Sequence, residues 1–196
     1  MAQQIKNIFL SASIPVEERD RKYIETADVI AIRDSVIALA SVILPHYRLI
    51  WGGHPSITRL IAQVLRHSNQ DVNQHVTLYQ SKYFERYFPL ENEDVAHIVY
   101  TPDLGDKTTS LFEMRKQMIG CNSFAAGIFI GGMEGVEDEF RMFSKVHPHA
   151  LLLPIASTGA AAKFIYDNNP EEYDSNLATE LTYTSLFKKF LEIMDI

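Results

Sequence analysis

The sequence predicts an α/β protein with a doubly wound, mainly parallel, Rossmann-like sheet carrying helices on both faces. Three observations carry this. Apolar runs of strand length recur along the chain, from IKNIFLS (5–11) to ALLLPIA (150–156). Segments of helical period alternate with them, which indicates crossover connections between parallel strands. One run, FAAGIFI (124–130), is apolar on both alternations, as a central strand covered on both faces must be.

The elements follow in order. IKNIFLS is the first strand, and the charged residues from Glu17 to Lys22 read as a solvated loop. Residues 28–44 form a long helix that Pro45 stops. YRLIWGG (47–53) is a strand ending in a glycine turn. HPSITRLIAQVLR (54–66) continues it as a helix, with Pro55 tolerated in its first turn. HVTLYQ (75–80) is a third strand, SKYFERYF (81–88) a short aromatic excursion and VAHIVY (95–100) a fourth strand. A polar loop then leads to a helix whose Leu111, Met114 and Met118 share one face. After FAAGIFI come Gly131-Gly132 and a helix resuming near Val136. ALLLPIA leads into a turn and helix (157–168), and residues 177–194 read as one closing amphipathic helix.

At 196 residues the chain is expected to be one domain, 1–196, with a core of its own. The net charge of −7 argues against a general nucleic-acid surface and against adhesion to an anionic membrane. The single cysteine, Cys121, excludes an internal disulfide and a Cys-cluster metal site; it reads as a small core residue. The seven histidines show no tight metal-ligand spacing, so no metal and no resident cofactor are expected. The N-terminus lacks a signal-peptide core, and no apolar run approaches the roughly 20 residues of a membrane span. A cytoplasmic location is expected.

In such sheets ligands bind at the carboxyl ends of the strands, beside the point where the strand order reverses. Four small-residue turns fall there: 11–13, 52–54, 131–135 and 157–159. A glycine turn opening a helix presents N–H groups and the helix dipole to an anion, which suits a nucleotide phosphate.

The motifs resemble a known family. GGMEGVEDEF (131–140) after a buried strand resembles the PGGxGTxxE signature of the Lonely Guy (LOG) proteins. FEMRKQM (112–118) resembles the helix carrying that family's Arg-Lys pair, and WGGHPSITRLIAQVL (51–65) stands where its first glycine turn does. Their order is similar to that of the SLOG superfamily, which joins Smf/DprA and LOG-type Rossmann-like domains. There are departures: Ile130 replaces the proline, Met133-Glu134 carries an inserted residue, Val136 replaces the threonine and His54 the third glycine. IFLSASIP, LYQSKYF and GGMEGVEDEF resemble the branches found beside TIR domains in bacterial defence loci, including Thoeris effectors. There the domain is thought to sense NAD-derived signals such as cyclic ADP-ribose isomers.

The resemblance implies site residues. Arg115 would face the ligand, its planar fork suited to phosphate. Lys116 is adjacent, about 100° further round the helix, and is a candidate beside its reading as a solvated lysine. Glu139 falls on the family's catalytic glutamate, which acts with the arginine on an N-glycosidic bond. Acids in a first helical turn are also favoured by the dipole alone. Glu137, Asp138 and Glu139 would repel a phosphate but suit ribose hydroxyls, and Glu134 is a further ribose or base contact. Gly131, Gly132, Met133, Gly135 and Val136 form one candidate cradle, and Gly52, Gly53 and His54 another. Ser11 and Ser13 are phosphate donors or turn formers; Ser157, Thr158 and Gly159 make a last anion-binding turn. The aromatics around Tyr83 (Tyr79, Phe84, Tyr87, Phe88) stack a base or serve as core or subunit contacts.

The expected function is recognition of a nucleotide derivative, such as ADP-ribose or a cyclic ADP-ribose isomer, in antiviral signalling. A separate effector or TIR-type protein would complete the system. The alternative is a LOG-like phosphoribohydrolase using Arg115 and Glu139. LOG-type domains usually pair, and the apolar surface on 28–44 and 177–194 suggests a homodimer or higher homo-oligomer.

Overall fold

A computed structural model describes residues 5–18, 20–44, 46–68 and 74–192. Its strands are β1 (Asn7–Ser13), β2 (Arg48–Gly52), β3 (Val76–Ser81), β4 (Ile98–Thr101), β5 (Ala126–Gly131) and β6 (Leu151–Ile155). They form one sheet in the order β4-β3-β2-β1-β5-β6, every pairing parallel. The Rossmann-like α/β arrangement follows the sequence reading. Each expected strand lies within a few residues of its predicted place. The order reverses between β1 and β5, where Ser13 stands opposite Gly131.

The helices are α1 (Arg21–Ile24), α2 (Val29–Ile43), α3 (Pro55–His67), α4 (Lys107–Gly120), α5 (Glu134–Val146), α6 (Ala160–Asn168), α7 (Asn176–Thr179) and α8 (Tyr183–Phe190). Successive strand side chains point to opposite faces, so each inner strand feeds two cores. Ile8, Leu10, Leu49, Trp51, Ile128 and Ile130 pack with α2, α3 and α8. Phe9, Ile50 and Phe129 pack on the other face with α4, α5 and α6. In the second core Gly127 makes room for Phe143. A Cβ at Gly127 would lie 2.6 Å from that ring, which stacks on Phe9 at 5.0 Å and 10°.

Several details correct the sequence reading. The 177–194 segment is not one helix: Glu180 accepts from the Thr182 N–H at 2.6 Å, separating α7 from α8. Its residues 193–194 lie outside the described residues. The Glu17 to Lys22 stretch is not all loop, because α1 starts at Arg21 with Asp20 accepting from the Lys22 N–H. Tyr23 is then buried beneath α5, its hydroxyl donating to Glu137 at 2.9 Å. Cys121 is exposed at the C-cap of α4, not in the core. α2 ends at Ile43 with Leu44 as its C-cap; Pro45, expected to stop it, lies outside the described residues. The apolar faces of α2 and α8 pack against each other, leaving Val29, Ile30 and Leu181 exposed nearby. Among the described residues no helix is long and apolar enough to cross a membrane.

Candidate functional site

A cleft of about 480 Å³ opens over the carboxyl ends of β1, β2 and β3. Ala12 and Ser13, Gly52 and Gly53, and Gln80 and Ser81 form its floor. One stripe of α4 makes a wall: Lys107, Thr108, Leu111, Met114 and Arg115, at the spacing of a single helix face. The opening of α5 forms another wall, with Met133 as its N-cap and Asp138 and Glu139 one turn in. Phe84, Tyr87 and Phe88 close the β3 side.

The charged centre is a relay across three elements. Ser11 on β1 donates to Glu139 Oε2 at 2.6 Å. Arg115 Nε donates to Glu139 Oε1 at 3.1 Å, and Nη1 to Asp138 at 3.4 Å. Arg115 Nη2 donates to the Gly135 carbonyl at 3.3 Å. The Arg115 and Glu139 side chains are 15% and 14% exposed, so the pair is largely shielded yet still borders the cleft. Gly135 permits this approach, since a Cβ there would sit 3.0 Å from Arg115 Nη2. Asp138 is shared with Arg141 on its outer side. Glu137 turns away from the cleft and anchors α1 through Tyr23. Burial, then that hydrogen bond, pushes the Tyr23 phenol well above its ordinary pKa.

The structure brings Ser13, Gly52, Gly53, His54, Arg115, Met133, Glu134, Gly135, Val136 and Glu139 to the cleft. His54 shares a hydrogen bond with Ser56 at 2.8 Å. Ser11 lies beneath, reaching the site through Glu139. Other expected residues stand elsewhere. Lys116 is on the outer face of α4, paired with Glu113 and 67% exposed, because one residue rotates it off the stripe of Arg115. Gly131 and Gly132 form the turn behind the cleft, with φ of +53° and +86°. Cβ atoms there would meet Ile32 at 2.4 Å and Val136 at 2.2 Å, so packing requires both glycines.

The 157–159 turn is also internal. Ser157 meets the Tyr183 hydroxyl at 3.2 Å, and Thr158 Oγ1 accepts from the Gly131 N–H at 2.9 Å. A Cβ at Gly159 would lie 1.8 Å from the Thr26 carbonyl. β6 stands beyond β5, one strand outside the switch point, and its turn braces the 131–132 turn instead of lining the cleft. Of the four turns expected to form the pocket, three border it.

Sequence reasoning missed Gln80, Ser81, Lys107 and Thr108. The stripe through Leu111 and Arg115, extended back one turn, would have found Lys107 and Thr108. Of the aromatics, Phe84, Tyr87 and Phe88 line the cleft, while Tyr79 is buried, its hydroxyl accepting from Asn122 at 3.0 Å. Among the described residues no group of His, Cys, Asp and Glu is arranged to hold a metal ion.

A family model described as the SLOG cluster3 family matches residues 22–191. No curated protein and no solved structure matches the chain.

Proposed function

Because the chain belongs to the SLOG cluster3 family, for which membership suggests a nucleotide-related function, we propose that the cleft binds a nucleotide derivative and serves as a sensor. The observation that carries the reading is Arg115, held at the cleft wall between Glu139 and the first turn of α5. After serving Glu139, Asp138 and the Gly135 carbonyl, the guanidinium keeps two of its five N–H donors. With the first-turn N–H groups of α5 these can meet a phosphate, while the neighbouring acids meet ribose hydroxyls. Lys107 lines the same stripe eight residues earlier, about 12 Å along the helix axis. Two cations so spaced suit a ligand longer than one phosphate. Glu134 and Asp138 border the cleft between apolar walls, where carboxylates accept from ribose hydroxyls. The volume lies within the roughly 300–1,000 Å³ of small-molecule sites.

An ADP-ribose-like signal derived from NAD fits these features, in the antiviral setting that the resemblance implies. In this reading a TIR-type signal-producing protein or an effector is a partner, and two copies of this chain pair. Light scattering on a size-exclusion column tests the pairing; a 22.3 kDa species at high concentration would remove it.

One observation favours a second reading, N-glycosidic hydrolysis: Glu139 borders the cleft in contact with Arg115, the pair such chemistry uses. Both Glu139 oxygens already accept hydrogen bonds, from Arg115 and Ser11. That favours a holding role, since a base must also reach water or substrate.

The test is a thermal-shift panel of AMP, ADP-ribose, NAD and cyclic ADP-ribose isomers, with mass analysis of each mixture. A ligand at 100 times its Kd stabilises by about 2.7 kcal/mol. A sensor returns the ligand intact and loses the shift in Arg115→Ala. Release of free base indicates the hydrolase, which Glu139→Gln would stop. No shift and no product from any compound would overturn both readings.

A further inference from the structure

The β3 end of the cleft holds a polar group that the phosphate and ribose contacts leave unused. Gln80, next to the last residue of β3, lines the cleft although it is only 3% exposed. Its amide lies across Gly53, where a Cβ would stand 2.1 Å from Gln80 Nε2. From behind, Asn92 Oδ1 accepts from that nitrogen at 3.4 Å. Asn92 is itself buried, and its Nδ2 has no partner among the described residues. The Asn92 contact is the hydrogen bond that the Gln80 side chain makes among the described residues, so its carbonyl oxygen and second N–H remain for an occupant of the cleft. Because these groups open on the cleft, water or an occupant of the cleft completes them.

The same end has an aromatic wall of Phe84, Tyr87 and Phe88, with Phe88 backed by Tyr100 in a stacked contact at 5.8 Å. Such a wall takes the face of a flat ring. An amide beside it reads a ring edge that carries a hydrogen-bond donor next to an acceptor, as a glutamine does on adenine. β3 lies two strands from β1, roughly 10 Å across the sheet from the strand bearing Ser13. This separates the ring from the Arg115 end by about the length of a ribose and its phosphate.

We propose that the β3 end is a base pocket and that Gln80, positioned by Asn92, selects an aminated base, adenine before others. Its carbonyl accepts from the exocyclic amine, and its free N–H donates to the adjacent ring nitrogen. The assignment rests on the nucleotide reading of the cleft and adds which half of the ligand sits where.

The test compares two probes by calorimetry: ADP-ribose, and its counterpart with hydrogen in place of the adenine 6-amino group. The wild-type protein is expected to bind the amino compound on the order of 10-fold more tightly. Gln80→Leu, close in size, is expected to bind both with equal affinity. Equal binding of the two probes by wild type would overturn the role of Gln80 and leave the nucleotide reading intact. So would a preference that persists in Gln80→Leu. If Gln80→Leu folds poorly, Gln80→Met, equally unable to make the pair, takes its place with the same expected loss of preference. Binding of neither probe would overturn the base pocket together with the ADP-ribose reading.

Discussion

Replacing Arg115 by methionine keeps most of the side chain's bulk and removes its charge, leaving Glu139 facing Asp138 without the cation between them. Breaking a fully buried ion pair costs about 3–5 kcal/mol, and breaking an exposed one about 0–1. With both partners near 15% exposure and Ser11 still holding Glu139 Oε2, the expected cost is about 2 kcal/mol. For a chain of this size that lowers Tm by roughly 4–8 °C. Glu139→Gln alone should cost about 1 kcal/mol, because Arg115 retains Asp138 and the Gly135 carbonyl. In the double variant the glutamine still accepts from Ser11 and no orphaned charge remains. The combined loss should therefore fall short of the sum by about 1–2 kcal/mol. Urea unfolding of the four proteins measures this without any ligand. Losses that add to within about 0.3 kcal/mol would refute the pairing that builds the site.

Three further outcomes are expected. Phe143→Ala, which empties the space over Gly127 and beside Phe9, should lose about 3–5 kcal/mol in urea unfolding. Gly159→Ala places a Cβ against the Thr26 carbonyl at a φ of +71°, and should cost more than about 3 kcal/mol or prevent folding; an unchanged Tm would show that the turn relaxes freely. The third concerns alkali. Burial, and for Tyr23 its bond to Glu137, raises the folded-state pKa of Tyr23, Tyr173 and Tyr183 above the ordinary value near 10. The stability this contributes is complete below about pH 10 and is lost as pH climbs toward the folded values. The urea midpoint should thus fall between pH 9 and pH 11, and fall less in Tyr23→Phe; identical slopes would count against Tyr23.

The sheet was legible because each strand is an apolar run set between helical periods, a local property. Arg115 and Glu139 were also legible, but only through motif order: neither residue shows by itself that their helices meet. The helix expected across 177–194 failed for a tertiary reason. Leu177 and Leu186 continue one apolar rhythm, yet they serve different neighbours, α7 packing on β6 and α8 on α2. Gln80 and Lys107 escaped notice because neither lies in a glycine turn. A glutamine near the end of a strand is unremarkable until that strand's carboxyl end is known to lie under the cleft, two strands from the switch point. The 157–159 turn shows the converse, a good anion-binding pattern whose polar atoms are consumed by the fold itself.

The position of β1 has a consequence for how the chain is made. Its first neighbour, β2, emerges soon after it, but its second, β5, is translated more than a hundred residues later. At about 5–20 residues per second, the apolar strand IFLSA waits on the order of ten seconds with one edge unpaired. Neither Ser11 nor Ser13 can meet its partner across the switch point before then. The ligand site is thus among the last features to exist on a nascent chain, and a truncated product ending before Ala126 would expose that edge instead of a cleft.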